Sequence, residues 1–256
     1  MPYININDVN LYYTDSGTAG DPIVFIHGWG TSGRVWDQQA SYFAQRNRTI
    51  QLDWRGCGLS ETWAYGNTIE QNASDVVALL HHLDLNNVTL VGTSMGGSFA
   101  IEAARQCPER LKALVTVDSP FHAGTFTSES EVLPILESLI TNRVPTLMDM
   151  VSTWYACDRC EDYEFWARAQ VLNSSPHIAG LYLEHLKYDP RPYLSEISVP
   201  ISLIHGSEDP DVPVAIAHEI ATLLNVPLHV IDGAGHFPHH SDATEFNAIL
   251  ASILDA

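Results

Sequence analysis

The chain has 256 residues, 45% of them apolar and 9% aromatic, enough to bury one sizeable core and too many for a disordered segment. Its formal net charge is −19, with only Lys112 and Lys187 as lysines, a field that opposes nucleic acid and anionic membrane surfaces. No apolar run approaches the ~20 residues that span a bilayer, and Met1-Pro2-Tyr3-Ile4-Asn5-Ile6 lacks a basic, then apolar, leader, so a soluble cytoplasmic protein is expected.

From Tyr3 to Tyr13 apolar and polar residues alternate around Asn7-Asp8, the pattern of an edge hairpin. Ile23-Val24-Phe25-Ile26 reads as a strand buried on both faces and ends in the turn His27-Gly28-Trp29-Gly30. A helix over 36–44 precedes the strand Thr49-Ile50-Gln51-Leu52, which runs into the Gly-rich loop Asp53-Trp54-Arg55-Gly56, read as a loop-bracing cluster. A helix over about 69–83 carries Val76, Leu79, Leu80 and Leu83 on one face. Then come the strand Val88-Thr89-Leu90-Val91, a helix from Ser98, and the strand over 111–117, ending at Asp118. Strands alternating with helices predict an α/β fold: a mostly parallel twisted sheet with helices on both faces.

Between residues 119 and 197 the alternation stops. Helical patterns rich in Trp154, Tyr155, Phe165, Trp166 and Tyr182, with breaks expected at Pro134, Pro145 and Pro176, suggest an inserted helical cap. The core would then comprise 1–118 and 198–256. Within the cap, Cys157-Asp158-Arg159-Cys160 is the chain's one C-x-x-C. A structural zinc needs four ligands; only His177 and His185 lie near enough in sequence to complete the set, so no metal is expected. Together with Cys57 and Cys107, these cysteines are too few for a disulfide scaffold. After Pro200 the rhythm resumes with the strand Ile201-Ser202-Leu203-Ile204, a helix over 214–224, the strand Leu228-His229-Val230-Ile231 and a closing helix over 243–254.

Three loops carry candidate chemistry. Gly92-Thr93-Ser94-Met95-Gly96-Gly97 is a G-x-S-x-G motif between a strand and a helix, which lifts a serine hydroxyl above the sheet edge. A serine hydroxyl is a poor nucleophile and needs a base oriented by a carboxylate. His205-Gly206-Ser207-Glu208-Asp209 and Gly235-His236 follow the last two strands, and parallel strands bring both loops to the serine's edge. The order Ser94, Asp209, His236 matches this strand–elbow–helix fold. His27, His205, His239 and His240 are alternative bases, the first two better suited to bracing loops; Asp118 and Asp211 are alternative acids.

These motifs, with His27-Gly28-Trp29-Gly30, resemble the α/β-hydrolase superfamily, and within it small cap-bearing serine esterases and cofactor-free haloperoxidase-like proteins. The resemblance implies Ser94 as nucleophile, His236 as base, Asp209 as orienting acid, and the backbone N–H groups of Trp29 and Met95 as an oxyanion hole. It also leaves Asp118 open as the acid, since some members place theirs after the corresponding strand. A serine at the elbow favours acyl transfer over haloalkane or epoxide chemistry, and no cofactor is implied. Phe121, Phe126, Trp154, Trp166 and Phe237 were natural candidates for an apolar substrate lining beside Trp29 and Met95, suggesting a small to medium neutral ester. Rival readings are a cofactor-independent dioxygenase using Asp118, a lyase or carbon–carbon bond hydrolase, and a small-ligand receptor. Oligomeric state is not legible.

Overall fold

The computed structural model describes residues 3–17, 19–62, 66–122, 128–155 and 161–256. Its strands are β1 (Tyr3–Ile6), β2 (Val9–Ser16), β3 (Ile23–Ile26), β4 (Thr49–Leu52), β5 (Val88–Thr93), β6 (Leu111–Val117), β7 (Ile201–Gly206) and β8 (Leu228–Ile231). They form one sheet in the order β1-β2-β4-β3-β5-β6-β7-β8. The pairs β1/β2 and β2/β4 are antiparallel and all others parallel. Asn7 and Asp8, at φ 48° and 63°, make the two-residue turn of the opening hairpin. Every residue of β3, β4 and β5 is buried, as strands covered on both faces require.

The helices are α1 (Asp37–Phe43), α2 (Ile69–His82), α3 (Met95–Gln106), α4 (Glu129–Thr141), α5 (Arg143–Ser152), α6 (Glu161–Leu172), α7 (Leu181–Lys187), α8 (Val214–Leu224), the short α9 (Pro238–Ser241) and α10 (Ala243–Leu254). From β3 the chain crosses through α1 to β4 on one side, then through α2 back past β3 to β5. Right-handed crossovers in opposite directions put α1 and α2 on opposite faces. α3 packs beside α2, and α10 beside α1. No helix among the described residues is long and apolar enough to cross a membrane.

That reversal has a functional consequence. Ligands of open α/β sheets sit beyond the carboxyl ends of the strands where strand order reverses. Here the reversal lies between β3 and β5, the strands that end in Gly28-Trp29 and in Ser94.

Helices α4 to α7 occupy the interval between β6 and β7. The expected break at Pro134 does not occur: α4 continues through it. A proline at this point forfeits one intrahelical hydrogen bond, and Pro134 instead helps to wall a cavity. The insert is tied to the sheet by hydrogen bonds from Trp29 Nε1 to the Ile178 carbonyl (3.1 Å) and from the Ser175 N–H to the Gly56 carbonyl (2.8 Å). Arg55, in the loop after β4, forms a fully buried bidentate pair with Asp75 of α2 at 2.7 and 2.8 Å.

Candidate active site

Ser94 sits between β5 and α3 with φ 51° and ψ −128°, a conformation that costs an L-residue of order 1–3 kcal/mol. The surroundings enforce it. The Ser94 N–H donates to the Val117 carbonyl at 2.8 Å. A Cβ at Gly96 would lie 2.4 Å from the His27 carbonyl oxygen, so only glycine lets α3 start this close to β3. The side chain of Ser94 stays half-exposed at the tip.

Two backbone amides flank it. Met95 opens α3, where N–H groups lack intrahelical acceptors, and neither its N–H nor that of Trp29 meets an acceptor among the described residues. The Gly28 carbonyl accepts from His27 Nδ1 (2.8 Å) and from Thr31 Oγ1 (3.1 Å). In a trans peptide the N–H points opposite to the carbonyl, so these two bonds aim the Trp29 N–H away from His27 and Thr31. Gly28 packs directly on Ser94: a Cβ there would stand 3.1 Å from the serine Cβ.

His236, in the loop after β8, is buried and donates from Nδ1 to Asp209 Oδ2 at 2.7 Å, leaving Nε2 as the unprotonated nitrogen. Asp209 Oδ1 accepts from the N–H groups of Asp211 (2.8 Å) and Val212 (3.0 Å). Burial alone would raise the Asp209 pKa, but the charge of His236 and the hydrogen bonds from His205, His236 and Val212 hold it below the usual carboxylate range. Burial likewise disfavours the His236 imidazolium, and the Asp209 carboxylate outweighs it, raising that pKa. Ser94 and His236 face the same cavity, with no direct hydrogen bond between them; catalytic contacts of this kind commonly tighten only when substrate is bound.

The other titratable candidates lie elsewhere. His27 accepts from the Trp54 N–H at 3.3 Å and stacks on the Trp54 ring; burial drives its pKa down to about 3. His205 donates to the Val212 carbonyl at 2.8 Å. His239 and His240 are buried in an aromatic cluster with Trp36, Tyr155 and Phe237. Asp118 Oδ1 accepts from the Gly206 N–H at 2.8 Å and neighbours His205, not His236. Burial raises its pKa, against the pull of His205 and with added repulsion from Asp209. Asp211 accepts from Thr153 Oγ1 at 3.2 Å and lines the cavity.

The cavity encloses about 570 Å³ and is bounded by Trp29, Ser94, Met95 and His236 on the sheet side and by α4, α5 and α7 on the other. Phe121, Trp154, Trp166 and Phe237, the expected apolar lining, are not on its wall. Trp154 and Phe237 stack on each other at 5.0 Å, Trp166 meets His240 edge-on at 5.1 Å, and Phe121 is buried in the core. They are packing between insert and sheet. The fifth, Phe126, lies outside the described residues, as do Cys157 and Cys160. Sequence reasoning missed the residues that do line the far wall, among them Ser138, Asn142, Thr146, Asp149 and Tyr182. Their helical spacing from 138 to 149 was the available signal. Two groups of described side chains stand close enough to share a metal ion, Asp118 with His205 and Asp209, and His81 with Cys107 and Glu109. His185, one of the two histidines near the C-x-x-C in sequence, meets Ser98 Oγ at 3.2 Å.

Comparison with known proteins agrees with this architecture. A non-heme haloperoxidase from Rhodococcus erythropolis is 31% identical over 277 aligned positions covering 100% of both chains. The solved bromoperoxidase of Bacillus anthracis superposes with a TM-score of 0.89 at 27% identity, covering 97% of this chain and 96% of that one. An esterase from Exiguobacterium antarcticum gives 0.91 at 24% identity, with 99% of each chain covered. Residues 23–249, from the first parallel strand into the last helix, match the model of the alpha/beta hydrolase family, and the chain belongs to that family.

Proposed function

We propose that the protein is a serine hydrolase that cleaves small to medium neutral carboxylic esters through an acyl-enzyme, with Ser94, His236 and Asp209 as the catalytic residues. The observation that carries this reading is the pair of acceptor-free amides, Trp29 and Met95, beside a strained serine in a cavity that also receives an Asp-held imidazole. In this scheme His236 Nε2 takes the Ser94 hydroxyl proton as Oγ attacks the ester carbonyl. Negative charge developing on the carbonyl oxygen falls to the two N–H groups, each worth about 3–4 kcal/mol to such a barrier. The imidazolium, stabilised by Asp209, protonates the departing alcohol. Water, deprotonated by His236, then releases the acid and restores the serine.

The dioxygenase alternative draws its acid from Asp118, and the bond from Gly206 to that carboxyl supports the ester reading instead. The test is turnover of p-nitrophenyl acetate and butyrate together with oxygen uptake. Wild type should release nitrophenol and Ser94→Ala should not; oxygen consumption that survives Ser94→Ala would point to the dioxygenase.

A further inference from the structure

The cavity has two unlike walls. Near Ser94 it is lined by Trp29, Met95 and Val212; the wall built by α4 and α5 sets Ser138, Asn142, Thr146 and Asp149 among the apolar Pro134, Ile135 and Met150. Most polar groups of that wall already bond to one another. Ser138 Oγ meets Thr146 Oγ1 at 2.5 Å, Thr146 Oγ1 also donates to the Asn142 carbonyl, and Thr153 Oγ1 donates to the Met150 carbonyl and to Asp211.

Two side chains remain over. The Asn142 amide caps neither adjoining helix and has no hydrogen-bond partner among the described residues. The exposed Asp149 carboxylate likewise has neither ion pair nor hydrogen bond there. Asp211, facing the same space, adds a second carboxyl.

No lysine or arginine is among the lining residues described. Of the histidines on the wall, His236 lies at the Ser94 end with its Nδ1 held by the Asp209 carboxylate, burial pushes His185 down to about 4, and His122 stands 3.5 Å from a Glu219 carboxylate oxygen. A substrate carboxylate would therefore face the Asp149 charge with no lysine or arginine to receive it, whereas a hydroxyl would meet acceptors in the Asn142 carboxamide oxygen and the Asp149 carboxylate, and a cation would meet the Asp149 charge.

Resting on the hydrolase reading above, we propose that Asn142 and Asp149 select substrates whose end remote from the scissile ester carries a hydroxyl donor or a positive charge, and that the Asp149 charge disfavours those ending in a carboxylate. Opposite unit charges about 4 Å apart in water change an equilibrium about fivefold, and like charges do the reverse.

The experiment compares kcat/KM within two matched series. One is the butyrate esters of propanol, propane-1,3-diol, choline and 3-hydroxypropanoate. The other is the p-nitrophenyl esters of hexanoate, 6-hydroxyhexanoate, 6-trimethylammoniohexanoate and adipate. In at least one series the hydroxyl and cationic members should exceed the carboxylate about tenfold or more. Asp149→Asn should compress the cation-to-carboxylate ratio by up to about 25-fold, about fivefold from each sign of charge, and Asn142→Ala should lower the hydroxyl-to-alkyl ratio. Ratios are read within each variant, so a general loss of activity cancels, and the trimethylammonium members, which have no N–H, read charge alone while the hydroxyl members read hydrogen-bond donation. Turnover with the carboxylate esters equal or preferred in both series overturns the selectivity and leaves the hydrolase reading standing. Absence of turnover with every ester, together with failure of a fluorophosphonate to label Ser94, overturns both.

Discussion

Replacing Asp209 by asparagine should cost about 10⁴ in kcat, and the structure says why the new side chain could not adapt. A carboxamide could keep the imidazole tautomer only by turning its oxygen toward His236 Nδ1. That oxygen position is contested: Oδ1 already receives the N–H groups of Asp211 and Val212 at 2.8 and 3.0 Å. The amide oxygen must stay with those two donors, so the NH₂ faces Nδ1 across the former 2.7 Å contact. An NH₂ there selects the tautomer protonated on Nε2, the nitrogen that takes the serine proton in the proposed mechanism. Loss of the correct tautomer in a serine triad costs about 10⁴, or about 5.4 kcal/mol of barrier. The assay is steady-state hydrolysis of p-nitrophenyl butyrate by wild type and Asp209→Asn, with circular dichroism to verify the fold. KM should move little, because Asp209 is buried behind His236 and is not on the cavity wall. A loss below tenfold would refute the reasoning and remove Asp209 from the mechanism.

Asp118 should behave oppositely: Asp118→Asn keeps an oxygen to accept from the Gly206 N–H and leaves the Asp209–His236 contact untouched, so the pH profile of kcat/KM should stay put, while Asp118→Leu strands that N–H and lowers stability by about 1–3 kcal/mol in thermal melts. A collapse of activity in Asp118→Asn matching that of Asp209→Asn would make Asp118 the acid. The fold should also be acid-labile. Burial drives His27 down to about 3 and His185 and His240 to about 4. Their folded pKa values lie below the unfolded value near 6.5, so their contribution is complete above that pH and lost as pH falls toward 4. At pH 5 each loses about 2 kcal/mol, about 6 together, at 1.36 kcal/mol per pH unit. Asp53, pushed up to about 6 by burial, returns about 1 kcal/mol over the same range. For these four groups together the loss reaches the lower end of the roughly 5–15 kcal/mol that holds a typical domain. Urea midpoints followed from pH 7 to 4.5 should fall steeply, and a flat profile would contradict this.

Much of the fold was legible because its strands are short, uninterrupted apolar runs bounded by glycine turns. The expected bounds of β3, β4, β6 and β8 and of α8 and α10 coincide with the observed ones. The serine elbow could be read from glycines at 92, 96 and 97, since close approach leaves no other residue type there. The cavity lining could not. An aromatic side chain buried between insert and sheet and one facing a cavity have the same local sequence signature, so Trp154, Trp166 and Phe237 looked like lining and proved to be packing. Conversely, Asn142 and Asp149 resemble any exposed helix residues until α4 and α5 are placed over the sheet. The bracing of Gly28 by His27 and Thr31 was half visible: the sequence suggested that His27 steadies its loop, but not which carbonyl it holds.

The proposed mechanism stands on covalent chemistry at one oxygen atom. Rapid-quench intact-mass analysis during p-nitrophenyl butyrate turnover, with peptide mapping, should find one butyryl group on Ser94 in the wild type and none in Ser94→Ala, whose steady-state rate should be lost. Full turnover by Ser94→Ala, or an acyl group carried on any other residue, would contradict it.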